Sequence, residues 1–265
     1  MSANWTAYFE YKNNTHTNKS FKYYEYKDKS VTKLPANLSM PPTDSFYEMF
    51  YGCNQLKDIS ALFNWDVSNV KDMRYMFSHC EELKKVTALF NWDVSNVEKL
   101  NGMFRGCCQL EDISALADWN VSNVKDMSYM FCGCNQLKNI SALSKWDVSN
   151  VKNMNSIFCN CEQLEDISAL SSWNVSNVEN MAEMFYRCNL QDITALANWD
   201  ISSVEDMRAM FACCERLSNV SALAKWDVSN VMNMQCMFGS SCLLPITRNT
   251  PEIKAFFRDL AKRFA

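Results

Sequence analysis

Trp119-Asn-Val-Ser-Asn-Val124-Lys-Asp-Met127-Ser-Tyr-Met130-Phe131-Cys-Gly-Cys134-Asn-Gln-Leu137-Lys-Asn-Ile140-Ser-Ala142-Leu143-Ser-Lys-Trp146 decides the fold, because it ends on the residue type it starts from and then begins again. Seven tryptophans stand in register, at Trp65, Trp92, Trp119, Trp146, Trp173, Trp199 and Trp226, spaced by 27, 27, 27, 27, 26 and 27 residues. A fixed period between about 20 and 50 residues marks a solenoid, propeller or array. The one short interval contains a single-residue deletion between Cys188 and Leu190, placed at a turn.

Two patterns lie within each unit. Leu-x-x-Ile-x-Ala, as at Leu164, Ile167 and Ala169, has the leucine-rich-repeat spacing and predicts a short strand that stacks into a parallel sheet. Val-x-x-Met-x-x-Met-Phe-x-x-Cys-x-x-Leu, as at Val124, Met127, Met130, Phe131, Cys134 and Leu137, steps by threes and fours and predicts a short helix. Ser122 and Asn123 precede it as capping residues. The intervening Val-x-x-Val reads either as a second short strand or as an extended turn. The expected fold is therefore a repeat solenoid, leucine-rich-repeat-like and of α/β class. It has about eight coils of ~27 residues, each with a short parallel strand and a short helix. At the spacing of paired strands, about 4.8 Å, such a stack is about 40 Å long.

A Met-Phe column runs beyond the tryptophans, from Met49-Phe50 to Met237-Phe238, and Leu38, Met40 and Phe46 fit a partial first repeat. Repeats so built need covered ends. Residues 1–36, rich in Tyr, Phe, Lys and Asn, are expected to form an N-terminal cap, residues 37–247 the repeats, and residues 248–265 a C-terminal capping helix. Pro251 suits the first helical position, and Ile253, Phe256, Phe257, Leu260 and Phe264 form an apolar stripe.

The sequence has 265 residues, a formal net charge of −4 and thirteen cysteines. That charge gives no electrostatic footprint for nucleic acid or an anionic membrane. No apolar run reaches the ~18 residues of a membrane span. The start lacks the basic and apolar segments of a secretory signal, so a cytoplasmic or virion-associated location is expected over a secreted one.

Seven cysteines form a column: Cys53, Cys80, Cys107, Cys134, Cys161, Cys188 and Cys214. A disulfide or metal ladder is one reading, and buried thiols packed as small hydrophobes the other. Paired Cys-x-x-Cys zinc spacing is absent and only His16 and His79 could assist, which favours packing. Cys108, Cys132, Cys159, Cys213, Cys236 and Cys242 lie off the column. Cys132 and Cys159, at matching positions in adjacent coils, are the candidate pair for any bridge. The column Asp66, Asp93, Asn120, Asp147, Asn174, Asp200, Asp227 reads as a cation ladder or as turn residues accepting backbone N–H groups, and free exchange with Asn favours turns. The Ser68 and Asn69 columns that follow read as internal hydrogen-bonding ladders.

The unit from Trp119 to Cys134 resembles the BspA-type leucine-rich repeat of microbial surface proteins, in its Mycoplasma variant, and the resemblance extends over about residues 38–244. It implies a surface protein that adheres to host components or other cells. Similar repeats also occur in protists and large DNA viruses.

The residues expected to face outward from the strand form a candidate interaction strip: Asp58, Lys85, Asp112, Asn139, Asp166, Asp192 and Asn219. It reads as a solvated face or as a mildly acidic docking surface. The tryptophan and cysteine columns are expected in the core. The sequence has no Gly-rich phosphate loop, nucleophile elbow or metal triad, and His79 is a single departure at a turn position. No enzyme and no cofactor is expected. A protein partner or self-association, without nucleic acid or membrane insertion, is the expected mode. A binding or adhesion module is the first reading, and a building block of a virion, surface layer or other array the second.

Overall fold

The computed structural model describes residues 5–14 and 21–239. His16, Cys242 and the expected capping helix over residues 248–265 lie outside these described residues. Within them the chain is a stack of coils in which each residue lies beside its equivalent about 27 positions away.

The Val-to-Leu segment is not helical, and the described residues contain no α-helix. In the coil that holds Phe77, the N–H groups of Met73, Tyr75, Phe77 and His79 donate to the carbonyls of Lys99, Asn101, Met103 and Arg105 in the next coil, at 2.7–3.1 Å. The alternate N–H groups turn back three residues: Met76 to Met73, Ser78 to Tyr75, Cys80 to Phe77 and Leu83 to Cys80. Consecutive three-residue turns bring an apolar side chain inward every three or four positions, so they reproduce the helical spacing without the helix. Two residues in each such segment have left-handed backbone, as at Tyr75 (φ 55°) and His79 (φ 59°). An α-helix cannot pass through such alternation. Ser122 and Asn123 cap no helix. The Ser122 hydroxyl and N–H donate to Asn120 Oδ1, and the Asn123 amide donates to Ser95 O one coil back.

The parallel pairing is also displaced from the expected strand. The Leu-x-x-Ile segment carries isolated bridges only at Lys33–Asp58 and Lys85–Asp112. The continuous parallel column lies just before the first methionine, through Ser45, Asp72, Lys99, Asp126, Asn153, Asn180, Asp206 and Asn233. Instead of extending, Ile-Ser-Ala-Leu bends into a 3₁₀ turn in every coil, from Ser60–Leu62 to Ser221–Lys225. The α/β description is therefore replaced by a solenoid of 3₁₀ turns, three-residue turns and single parallel bridges. In six of the seven coils Asp58 Oδ1 or its equivalent captures the N–H two residues on, such as that of Ser60 at 2.8 Å, and so supports the bend with an Asx turn, while Thr87–Leu89 takes the same turn without one.

The core is made of columns. Eight phenylalanines from Phe50 to Phe238 stack ring on ring, with centroids 5.5–5.9 Å apart and planes within 3–10°. The seven tryptophans of the column are 3–7% exposed. Each indole Nε1–H donates to a leucine carbonyl of the preceding coil, for example Trp146 to Leu116 O at 2.9 Å and Trp226 to Leu196 O at 3.0 Å. Tryptophan thus fills volume and gives a buried carbonyl its second donor, beside the backbone N–H of the preceding coil's tryptophan. The column cysteines do the same on a smaller scale. From Cys80 to Cys214 each thiol lies 3.1–3.3 Å from a phenylalanine carbonyl one coil back. Cys188 and Leu190 stay buried on either side of the single-residue deletion.

Strands β1 (Phe9–Asn14) and β2 (Phe21–Tyr26) pair antiparallel, with Phe9 opposite Tyr26. This hairpin lies over the first coil: Tyr26 N–H donates to Met49 O at 2.7 Å, and the rings of Phe9 and Tyr26 lie 5.9 and 5.5 Å from Phe50. In-register pairing of the stack begins at Lys33.

Replacing Trp146 by Ala is expected to cost about 3–5 kcal/mol in chemical denaturation, from the lost volume. Trp146→Phe keeps most of the apolar bulk and removes the donor to Leu116 O, and is expected to cost about 1–3 kcal/mol. If the phenylalanine variant matches the parent, the indole hydrogen bond contributes nothing and volume alone explains the column.

Candidate functional site

The strip predicted from sequence is one continuous face, and its members are half-buried or exposed. Its acidic and amide side chains are engaged. Asp58, Asp112, Asn139, Asp166, Asp192 and Asn219 each accept the N–H of the residue two positions on, at 2.8–3.0 Å. They start the 3₁₀ turns and present only their remaining lone pairs outward. Lys85 is the exception. It stands where its equivalents carry Asp or Asn, so the turn at Thr87 begins without a side-chain acceptor.

The same device recurs at two further places in the coil. The Asp66 column accepts from the serine N–H at 3.0–3.2 Å. The Asp72 column accepts likewise at 2.9–3.1 Å, except where Lys99 replaces the acid. These are turn residues. Among the described residues no group of three or more His, Cys, Asp or Glu is placed to hold a metal ion. Beside the Asp66 column, Asn96, Asn123, Asn150, Asn177 and Asn230 each donate a side-chain amide to the serine carbonyl one coil back, at 2.7–2.8 Å. That ladder is at the surface, not in the interior.

Electrostatics follow the turns. The Lys33 ammonium, 2.8 Å away, followed by the Ser60 donors, lowers the Asp58 carboxyl to about 2. The serine hydroxyl and then the serine N–H two residues on lower Asp66, Asp93, Asp112, Asp147, Asp200 and Asp227.

The described cysteines are free thiols. Burial pushes the column upward, Cys53 to about 11 and Cys214 to about 12, so the proton that donates to the phenylalanine carbonyl stays on sulfur. Cys132 and Cys159 are hydrogen-bonded to each other, which holds the Cys132 thiol below its ordinary range, helped by Arg105, and raises Cys159. His79 is a left-handed turn residue whose ring meets Tyr51 edge-on at 5.6 Å. Glycine and asparagine at its equivalents, Gly52, Gly106, Gly133 and Asn160, were the signal of that backbone. At the other left-handed position Gly102 has φ +65°, and a Cβ there would overlap the Tyr75 ring, so it is the close approach of that ring that favours glycine in this coil.

Grooves open between neighbouring coils along the strip. One of about 510 Å³ is lined by Glu165, Asp166, Gln191 and Asp192, with Glu165 tied to Arg216 at 2.7 Å. A larger one, about 940 Å³, runs past Lys57, Asp58, Phe63, Lys84 and Lys85. Sequence reasoning did not single out Phe63 or Phe90, although both stand where the other coils have Ala or Ser.

A repeat solenoid with interlocked core columns and a grooved, variable strip is the class of protein that this geometry defines. Residues 44–166, 109–194 and 188–245 match the family described as "Mycoplasma protein of unknown function, DUF285", and the chain belongs to that family. Among solved structures an internalin (inlF) from Listeria monocytogenes is similar, at 14% identity and a TM-score of 0.40, over 81% of this chain and 69% of its own. No match was found among curated proteins. Among the described residues no helix is long and apolar enough to cross a membrane.

Because the Asx-turn aspartates have lowered pKa values in the folded chain, their contribution is complete above the unfolded carboxyl pKa of about 3.9 and is lost as pH falls through the folded values. The denaturation midpoint is therefore expected to drop between about pH 4 and pH 2. A variant carrying Asp66→Asn, Asp93→Asn, Asp147→Asn and Asp200→Asn, which keeps the amide acceptor already used at Asn120 and Asn174, is expected to show a flatter profile. An unchanged profile would show that these turns add no proton-linked stability.

The thiols give a second check. Among the described cysteines, a disulfide reagent at pH 8 is expected to modify the partly exposed Cys108, Cys132, Cys213 and Cys236 and to leave the column from Cys80 to Cys188 intact until the chain unfolds. Early modification of Cys107 or Cys134 would contradict a closed core.

Proposed function

We propose that this chain is a non-enzymatic protein-binding module whose docking surface is the strip from Asp58 to Asn219. One observation carries the reading: every coil repeats the same core columns, while the outward side chains flanking the strip, Lys57, Lys84, Glu111, Lys138, Glu165, Gln191 and Ser218, change charge and size from coil to coil, and the strip itself changes sign at Lys85. A solenoid that varies only its presented face sets partner choice by that variation. The reading assigns residues 1–36 to an N-terminal cap, 37–247 to the repeats and 248–265 to a second cap. The resemblance to BspA-type surface repeats supports adhesion as the setting, with a protein as partner.

The exposed acids of the strip make the partner's complementary patch basic over its central and C-terminal coils, through Asp112, Asp166 and Asp192. Asp→Asn changes at these three positions remove charge and keep the turn acceptor. Binders selected on the intact chain from a random displayed-peptide library are expected to include basic sequences whose binding weakens with salt. Those sequences should lose roughly tenfold affinity for the triple variant, about 1.4 kcal/mol. Absence of any saturable binder, together with growth into larger particles by light scattering as concentration rises, would overturn the binding module in favour of a building block.

A further inference from the structure

The N-terminal end of the strip differs from the rest in three ways, on the two adjacent coils that form one groove. First, Lys85 replaces the Asp or Asn found at every equivalent position and gives up the Asx-turn hydrogen bond that its equivalents make. Second, Phe63 and Phe90 replace Ala117, Ser144, Ser171, Ala197 and Ala224, and they are 46% and 56% exposed. Two large apolar side chains held in water on adjacent coils contribute little to the fold, and such patches mark interaction sites. Third, the charge is unbalanced. Both carboxylates of the groove already have partners, Asp58 with Lys33 at 2.8 Å and Glu82 with Lys57 at 3.6 Å. Lys84 and Lys85 have no ion pair among the described residues. In the next coil the N–H groups of Glu111 and Asp112 both donate to Lys84 O; Glu111 forms no ion pair with Lys84 or Lys85, and Asp112 is held by the hydroxyl and N–H of Ser114 and feels Lys85 only through space.

We infer that this groove, about 940 Å³ in volume, is the docking site for an acidic protein segment with an embedded apolar side chain. The inference rests on the binding-module reading and assigns the partner chemistry at one end of the strip. Phe63 lines the groove, and Phe90 is the equivalent exposed ring of the next coil. An aliphatic or aromatic anchor from the partner lies against them. Flanking Asp or Glu residues pair with Lys84 and Lys85, which line the groove. An anchor with neighbouring charges, central and desolvated, is the arrangement that concentrates binding energy in few contacts. The lysines steer approach and set the choice against basic segments. Polarity therefore reverses along the strip: this end takes acids, and the coils with Asp166 and Asp192 take bases.

The repeat itself supplies the control. Phe63→Ala, Phe90→Ala and Lys85→Asp each install the residue that equivalent coils already carry, so the triple variant keeps the framework and regains an Asx turn. Thermal unfolding should show it at least as stable as the parent. The experiment is a selection of a random 12-residue displayed-peptide library on the full chain, followed by fluorescence polarisation of the enriched peptides, synthesised with a label, against parent and variant. Peptides combining Asp or Glu with Leu, Ile, Phe or Trp are expected to enrich on the parent. They should bind the variant about tenfold or more weakly, and replacing their apolar residue with Gly should have a comparable effect. If such peptides fail to enrich, or bind the stable variant as tightly as the parent, the groove assignment is overturned. Enrichment of basic peptides that are sensitive to the Asp→Asn strip changes would in that case leave the binding module standing. No saturable binder of any class would remove both.

Discussion

Each coil of this protein leaves backbone donors and acceptors that only the next coil can satisfy, and the rest of the structure follows from that requirement. Four N–H groups per coil, at positions equivalent to Met73, Tyr75, Phe77 and His79, reach carbonyls of the neighbour in register. Registration over many coils demands the same backbone path in each. That is why left-handed backbone recurs at Glu48, Tyr75, Tyr129, Ser156, Glu183 and Ala209, residue types with no preference for it. Left-handed backbone costs about 1–2 kcal/mol for an ordinary residue, and the inter-coil bond from the same residue's N–H offsets it.

The same requirement explains the side chains of the core. The carbonyls of Leu116 and Phe104 each accept one backbone N–H, from Trp119 and Cys107, and a column built only from aliphatic residues would leave their second lone pair without the further hydrogen bond, worth about 0.5–1.5 kcal/mol. Tryptophan and cysteine are largely apolar side chains that retain one donor. They sit where a carbonyl of the preceding coil must be met. Burial keeps the cysteines protonated and so keeps them donors. The off-column Cys132, hydrogen-bonded to Cys159 and near Arg105, is shifted the other way.

The period, the stacked architecture and the identity of the buried columns were legible in the sequence, because a 27-residue repeat places each apolar position beside its own copy. The local backbone was not. Three-residue turns in succession and an α-helix both bury positions three and four apart, so Val124 to Leu137 read as helix. The leucine-rich spacing of Leu164 to Ala169 read as strand where a 3₁₀ turn forms. One signal was available: Asp or Asn followed two residues later by Ser or Thr, as at Asp166–Ser168 and Asp147–Ser149, is an Asx-turn signature repeated within each coil. The glycines at 52, 102, 106 and 133 likewise marked left-handed backbone, but their columns mix in Glu, Tyr and Arg. The strip positions were expected to face outward, and they are exposed or half-buried. Their structural task was missed, because an outward-facing aspartate and a turn-closing aspartate look the same in one dimension.

That double task bears on how function is read from such a chain. A residue that closes a turn is retained for the fold whatever it binds, so Asp58 or Asp112 on the surface says little about a partner. A residue that abandons the turn says more. Lys85 forgoes a hydrogen bond that its equivalents make, and Phe63 and Phe90 expose apolar area where alanine and serine serve the fold equally well. Stability alone does not account for these three choices, and they lie together on two adjacent coils beside an unpaired positive charge. In a solenoid, where the framework can be subtracted coil by coil, such departures separate what the chain needs to stand from what it presents to others.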